Sequence, residues 1–244
     1  MKVYSASDIG LIRSSNQDCC KTGSFSDSSV WAVVCDGMGG ANGGCTASSV
    51  ATESISQRLL EMYRPDMTDE EIRELMEVSV SEANLRVYDM AQNDMSLNGM
   101  GTTVVCAVLR GDRLHIVHAG DSRAYLYKND SVTRLTTDHS VVQELIAAGQ
   151  ITEEQARTHP NRNIITRALG VEPFLTTDYN TAEFTGGCVL MICTDGLSGY
   201  FTDDDICGFI RSTPDEELTE KLINAAKSQG GSDNITVAVI SGRQ

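Results

Sequence analysis

Residues 31–49 read WAVVCDGMGGANGGCTASS. Trp31 to Cys35 is an apolar run of strand length, and it stops at an acid, Asp36. Five glycines follow between Gly37 and Gly44, and then come small residues that suit a helix start near 44. A strand, a glycine-rich turn and a helix in succession fit two chemistries. One is a phosphate cradle made of backbone N–H groups. The other is a metal ligand, a carboxylate delivered at the end of a buried strand. Other segments decide between them.

Runs like the first recur at 102–109 (TTVVCAVL), 113–119 (RLHIVHA), 123–127 (RAYLY), 188–193 (CVLMIC) and 235–240 (ITVAVI), each bounded by turn residues. RGDR at 110–113 and KNDS at 128–131 read as hairpin turns, so 102–136 is expected to form an antiparallel meander. Helical spacing appears at 44–62, with Val50, Ile55, Leu59, Leu60 and Met62 on the apolar face. Thr68 followed by Glu71 is a capping-box pattern. It starts a helix expected to run to about Gln92, with Ile72, Leu75, Met76, Val80 and Leu85 facing the core. Residues 214–229 form a third helix, with Pro214 in its first turn and Leu218, Leu222, Ile223 and Ala226 inward. Long helices set among runs of strands make an α+β order rather than βαβ alternation. The chain is expected to be one domain, 1–244, in which the polar stretch 139–185 is a flap or insert with two short helices at most.

With 34 acidic and 19 basic residues the net charge is −15, which speaks against nucleic acid or an anionic membrane as a partner. Most of those acids serve solubility. No segment approaches the roughly 18 apolar residues that span a bilayer. The eight cysteines show no CxxC spacing, and the first residues, MKVYSASDIG, form no apolar leader. Four of them, Cys35, Cys106, Cys188 and Cys193, sit inside apolar runs and read as small hydrophobes. A reduced, cytoplasmic protein is the expectation.

Four aspartates share one local setting. Asp36 follows AVVC, Asp121 follows HIVHAG, Asp195 follows VLMICT, and Asp233 precedes NITVAVI. A single aspartate at such a point is ordinarily a turn former. Four at strand ends can converge, and converging carboxylates repel unless a cation sits among them. Oxygen-only clusters select Mg2+, Mn2+ or Ca2+, and no histidine stands at these points to favour zinc. Asp18 is a further acid candidate. Arg13 is an isolated cation, read either as a surface residue or as a bidentate phosphate ligand.

The glycine run lacks the GK[ST] of a P-loop, and GxGxxG counted from Gly37 meets Asn42 at its last glycine. No cysteine precedes an arginine at phosphatase-loop spacing, DGLSGY at 195–200 is not a GxSxG elbow, and no kinase signature occurs. Side-chain nucleophiles have no support, which leaves metal-activated water.

Eight segments carry a resemblance: SDIGLIRSSNQD, VCDGMGG, GMGTT, HAGDSRAYLY, LTTDHS, HPNRNIITRALG, CTDGLS and SDNITV. In this order they resemble metal-dependent serine/threonine protein phosphatases of the PP2C (PPM) family, bacterial type, along nearly the whole chain. The resemblance implies a four-layer α-β-β-α sandwich of two antiparallel sheets flanked by helices. It implies hydrolysis of phosphoserine and phosphothreonine in proteins by a water bridged between two divalent cations, with two to three Mn2+ or Mg2+ ions as cofactors. By position, Asp36 would bridge two ions and the Gly37 carbonyl would ligate one of them. Asp195 and Asp233 would complete the other, and Asp121 with Asp195 would match a third site. Arg13 matches the phosphate-binding arginine, Asp18 an acid that holds the metal waters, and Asn234 the companion of Asp233. Residues 139–185 match the flap beside the cleft. Phosphoprotein substrates, a cognate Ser/Thr kinase to oppose and a monomeric state are the expected partners and assembly.

Three positions depart from the family pattern. Gln17 replaces the usual glutamate of NED, which is expected to weaken the second metal. Met38 stands where some members carry a histidine proposed as general acid, and Ala41 replaces another frequent histidine. Two rival readings are a pseudophosphatase that only binds a partner and a phosphoesterase acting on small molecules.

Overall fold

The computed structural model describes residues 1–243, without the side chains of Ala41 and Asn42, so the departure at Ala41 lies outside the described residues. The chain lays down β1 (Lys2–Asp8), β2 (Asp18–Ser24) and β3 (Val30–Met38), then two long helices, α1 (Gly40–Met62) and α2 (Asp69–Asn93). A two-residue strand, β4 (Gly101–Thr102), leads into β5 (Val104–Arg110), β6 (Arg113–Ala119), β7 (Arg123–Lys128) and β8 (Ser131–Arg134). The short helices α3 (Val141–Ala147) and α4 (Glu153–Arg157) precede β9 (Asp178–Glu183) and β10 (Val189–Cys193). Helices α5 (Asp195–Ser198), α6 (Asp203–Ser212) and α7 (Asp215–Ser228) come before β11 (Ile235–Ser241).

The strands form two antiparallel sheets, ordered β1-β11-β10-β7-β8 and β2-β3-β5-β6-β9, with β4 paired to the end of β3. Strand β3 explains why its sequence reads as an unbroken apolar run. Its odd residues Trp31, Val33 and Cys35 pack under α1 and α2, and its even residues Val30, Ala32 and Val34 face the other sheet. A strand buried on both faces has no polar side to alternate with. A third cluster joins Tyr125, Met191 and Val237 to Ile206, Ile210, Leu218 and Leu222 of α6 and α7. Helices, sheet, sheet, helices is the four-layer α-β-β-α order.

Helix α2 begins as its sequence indicates, with Thr68 Oγ1 accepting from Glu71 N and Glu71 Oε2 accepting from Thr68 N. Ile72, Met76 and Val80 are fully buried, each worth roughly 1.5–3 kcal/mol against exposure. Leu60, Met62 and Leu85, expected inward, are instead exposed. Helix α1 starts at Gly40, before position 44, because Gly39 turns the chain at φ 112°. Gly44 therefore lies inside the helix, where its missing side chain admits β3: a Cβ on Gly44 would lie 2.8 Å from Gly37 O.

The expected 102–136 meander is corrected. The β5–β6 and β7–β8 hairpins form, the second through Asn129 and Asp130 at positive φ. However, β6 and β7 belong to different sheets, and the chain crosses the sandwich between Ala119 and Arg123. The 139–185 segment holds the two short helices expected, but its last part is β9, which pairs with β6 from His118↔Asp178 to Arg113↔Glu183. The flap therefore ends before Asp178. DYNTAE is too polar to read as a strand because it sits at a sheet edge with one solvated face.

Candidate metal centre

Strand parity builds the site. Alternate residues on β3, β5, β10 and β11 fill the layer between the sheets with Val34, Val105, Ile192 and Ala238. Two residues further toward one end, the same inward faces carry Asp36, Thr103, Thr194 and Thr236. On β2, Cys20 packs in that layer and Asp18 comes next at the same end. The apolar interlayer thus ends in a polar floor, with no change of backbone course. Asp18 and Asp36 are cross-strand partners, a placement that is destabilising for two like charges unless something compensates it.

Hydrogen bonds from the threonines hold the floor together. Thr103 Oγ1 accepts from Asp36 N at 2.9 Å, and Thr103 N and Thr102 Oγ1 both donate to Asp36 O at 2.8 Å. Thr194 Oγ1 donates to Asp18 Oδ2 at 2.9 Å and accepts from Thr236 N at 3.0 Å. Thr102, Thr103, Thr194 and Thr236 were not among the sequence candidates. Thr103, Thr194 and Thr236 carry a signal, the inward parity of Val105, Ile192 and Ala238 two residues away, whereas Thr102 has the opposite parity.

Above the floor lies a cleft of about 440 Å³ lined by Arg13, Gln17, Asp36, Gly37, Asp121, Asp195, Asp233 and Asn234. All the sequence candidates meet there, with Asp18 just beneath. Asp121 comes from the β6–β7 crossing, Asp195 from the first turn of α5 after β10, and Asp233 from the residues before β11. Among the described residues, the one guanidinium lining the cleft is that of Arg13, whose NH2 group donates to Asp233 Oδ2 at 2.6 Å.

Five carboxylates around one cation set the electrostatics. Burial, ahead of repulsion from Asp195 and Asp233, pushes Asp18 up to about 7, against hydrogen bonds from Thr236 and Thr194. Burial and then Asp195 push Asp121 up to about 8. Asp36 is raised well above the carboxylate range by burial and then by its four acidic neighbours, and Asp195 is raised by burial and by Asp233. Asp18 Oδ1 is buried with no hydrogen-bond partner. An orphaned carboxylate oxygen below an oxygen-only donor set fits hard divalent cations.

The loop carrying Arg13 is held from the opposite end of the chain. Asn234 Nδ2 donates to Ile9 O and Ser15 O, both at 3.0 Å, and Asn234 Oδ1 accepts from Gln17 N at 2.8 Å. Every polar atom of that amide is thereby spent on residues 9–17. Gly10, at φ 79°, lets the loop pass over Asp233, whose carbonyl oxygen would lie 2.2 Å from a Cβ there. Gln17 Nε2 donates to Gly40 O at 2.6 Å, a bond that a glutamate in its place could not make.

A second group of ligand-type side chains, His118, His139 and Asp178, lies beside the site. Gly120 N donates to His139 Nδ1 at 3.1 Å, which places the His139 proton on Nε2, 3.3 Å from Asp178 Oδ2. His118 and His139 stack at 4.8 Å and 6°, so their ring-nitrogen lone pairs lie in two nearly parallel planes. The Arg167 guanidinium donates to Asp178 Oδ1 at 2.8 Å and lies 3.1 Å from His139 Nε2. The group is a tether that fastens the flap to β6 and β9, not an ion cage. Nearby, Arg123 binds Asp138 through Nε at 2.9 Å and NH2 at 2.7 Å, securing the chain where it enters the flap.

Comparison with known proteins gives a consistent picture. A protein phosphatase 2C family model matches residues 13–236. The chain is 37% identical over 236 residues to serine/threonine phosphatase stp of Listeria innocua, covering 96% of this chain and 92% of that one. It superposes on the serine/threonine phosphatase of S. agalactiae with a TM-score of 0.92 at 33% identity, covering 98% of each chain. It matches the catalytic domain of serine threonine protein phosphatase PstP in complex with 2 manganese ions at a TM-score of 0.86 and 30% identity, covering 98% of this chain and 96% of that one.

Proposed function

The chain belongs to the protein phosphatase 2C family and is a metal-dependent serine/threonine protein phosphatase, and on that premise we propose how its residues divide the work on two to three Mn2+ or Mg2+ ions. Asp36 would bridge two ions, with the Gly37 carbonyl on one and Asp195 and Asp233 on the other. Asp121 with Asp195 would hold a third. When bound, such ions neutralise phosphate charge and bring the pKa of coordinated water toward neutrality. The single observation that carries this reading is the set of five carboxylates around one guanidinium, with Asp18 Oδ1 buried and unpartnered beneath them.

Asp18 would orient water through that free oxygen, while Thr194 holds its other oxygen still. Arg13, half-exposed at the rim and steadied by Asp233, would take the phosphate oxygens in its planar fork. Phosphorus–oxygen cleavage releases a seryl or threonyl oxygen that must gain a proton. Met38 lines the cleft and has no proton to give, so that proton comes from water. Gln17 keeps an oxygen but no charge, which favours a weaker second ion than a glutamate would give. The flap from 139 to the residues before β9 borders the cleft through Asn163 and Ile165 and would bear on substrate choice. We place the enzyme as a monomeric, single-domain antagonist of a Ser/Thr kinase in the cytoplasm. In keeping with that, among the described residues no helix is long and apolar enough to cross a membrane.

The test is turnover of p-nitrophenyl phosphate and of phosphoserine and phosphothreonine peptides with and without Mn2+. Asp195→Asn is expected to abolish turnover and weaken Mn2+ binding measured by calorimetry. Near-normal activity in that variant would remove Asp195 from the ligand set. A wild-type protein that binds Mn2+ without turning over any of these substrates would be a pseudophosphatase.

A further inference from the structure

Beside the catalytic cleft runs a second, smaller groove of about 270 Å³. Its lining is mainly apolar, with Met38, Ile165, Val171, Phe174 and Leu175, and its polar members are Thr166, Arg167, Glu172 and Thr176. Met38 and Ile165 line both the groove and the cleft, so the two adjoin and these side chains stand between them. The volume falls under the roughly 300–1,000 Å³ of a small-molecule site and suits a side chain of a polypeptide crossing above.

Phe174 is 90% exposed, and Val171 and neighbouring Ile164 are about half-exposed at 47% and 49%. Scattered apolar residues at a surface need no explanation, but a contiguous set along a cleft does. The segment presenting them is built rather than loose. Asn84 of α2, 1% exposed, accepts from Gly170 N at 2.8 Å and donates to Glu172 O at 3.0 Å and Pro173 O at 3.2 Å. A buried amide is thus devoted wholly to the turn that displays Val171 and Phe174. Gly101 lies against two of these walls: a Cβ there would lie 2.8 Å from Met38 Cε, 2.9 Å from Leu169 O and 3.0 Å from Val171 Cγ2, so its lack of a side chain lets those methyl groups pack closely. Holding an apolar surface rigid before binding lowers the ordering cost that binding must meet.

We propose that this groove receives an apolar side chain of the phosphoprotein substrate, close in sequence to the phosphorylated residue, and that Phe174, Val171 and Met38 select for it. The proposal rests on the protein-phosphatase reading above. It gives Met38 a role in place of the protonating one that its position lacks: it is the wall between phosphate and flanking residue.

The experiment uses phosphothreonine peptides of one sequence with Leu or Ser at each of the three positions on either side of the phosphothreonine. The kcat/KM values of the wild type, Phe174→Ala and Val171→Ser are each divided by that for p-nitrophenyl phosphate. At one position Leu is expected to exceed Ser by about tenfold in the wild type, the lower range of what an apolar pocket contact contributes. Phe174→Ala should bring that preference close to parity and Val171→Ser should reduce it. Equal use of Leu and Ser peptides at all positions overturns the groove alone, as does a uniform loss on both in Phe174→Ala. Turnover of p-nitrophenyl phosphate with none of any peptide overturns the protein-substrate reading and the groove with it. Sedimentation covers the other occupant: a dimer that Phe174→Ala converts to a monomer, with peptide preference unchanged, assigns the face to a second copy and overturns the proposal.

Discussion

At the scale of single residues, Asn234 and Gln17 show how little of a side chain's work is visible in its type. Asp233 and Asn234 are adjacent, and only the folded chain reveals that one faces the cleft while the other clamps a loop more than two hundred residues away in sequence. Removing the clamp takes the side-chain partner from two carbonyls and one N–H that are part-buried. Asn234→Ala is therefore expected to destabilise the protein by about 1–3 kcal/mol, the loss of three hydrogen bonds at roughly 0.5–1.5 kcal/mol each offset in part by water. It should also lower kcat/KM, because Arg13 rides on that loop. Chemical denaturation and steady-state kinetics check both, and unchanged kinetics would detach Arg13 from the clamp. By residue type, Gln17 is a lost charge. In the fold it is also a gained donor, tying the start of α1 to β2 through Gly40 O. That second part could not be read from type, since it depends on a carbonyl brought near by the turn at Gly39.

At the scale of elements, the helices were legible wherever their caps and apolar stripes agreed. Thr68 with Glu71 marked α2, but α6 was not recognised although it carries the same device. Thr202 Oγ1 accepts from Asp205 N at 3.2 Å, and Asp205 Oδ2 accepts from Thr202 N at 2.9 Å. An aspartate in the third helical position stands in for the usual glutamate, and the helix is only ten residues long. Thr202→Ala is expected to cost about 1 kcal/mol and to lower Tm by about 2–4 °C for a chain of this size, with turnover of p-nitrophenyl phosphate retained. A Tm unchanged by the substitution would mean that packing of Ile206 and Ile210 alone sets the helix. Strands β1, β2 and β9 escaped reading for a different reason. They sit at sheet edges, where half-exposed faces dilute the apolar signal that β3 and β10 carry so plainly.

At the scale of the whole molecule, the cleft exists because two sheets end together, and its acids link stability to pH and metal. Asp18 and Asp121 have folded-state pKa values raised to about 7 and about 8. Without metal, the stability they confer is fully present below the ordinary carboxylate pKa and is lost as pH rises through those values, because the folded state binds the extra protons. Divalent cations replace those protons, so saturating Mn2+ should raise Tm more at pH 8 than at pH 6. His118 and His139, whose pKa values burial pushes down, act on metal-free and metal-bound protein alike and leave the difference intact. Equal shifts at the two pH values in thermal melts would sever the acids from metal binding. By itself the amino-acid sequence determined the inventory: buried-strand runs, capped helices, acids at strand ends, and eight motifs in order. Those features are local, set by side-chain chemistry and periods of 2 and 3.6 residues. Which strands share a sheet, that β6 and β7 part company at Gly120, that Asn84 braces the rim of a second groove and that Met38 divides it from the cleft were decided only in three dimensions. Each depends on contacts between residues distant in the chain, and a local pattern carries no information about which distant surface will complete it.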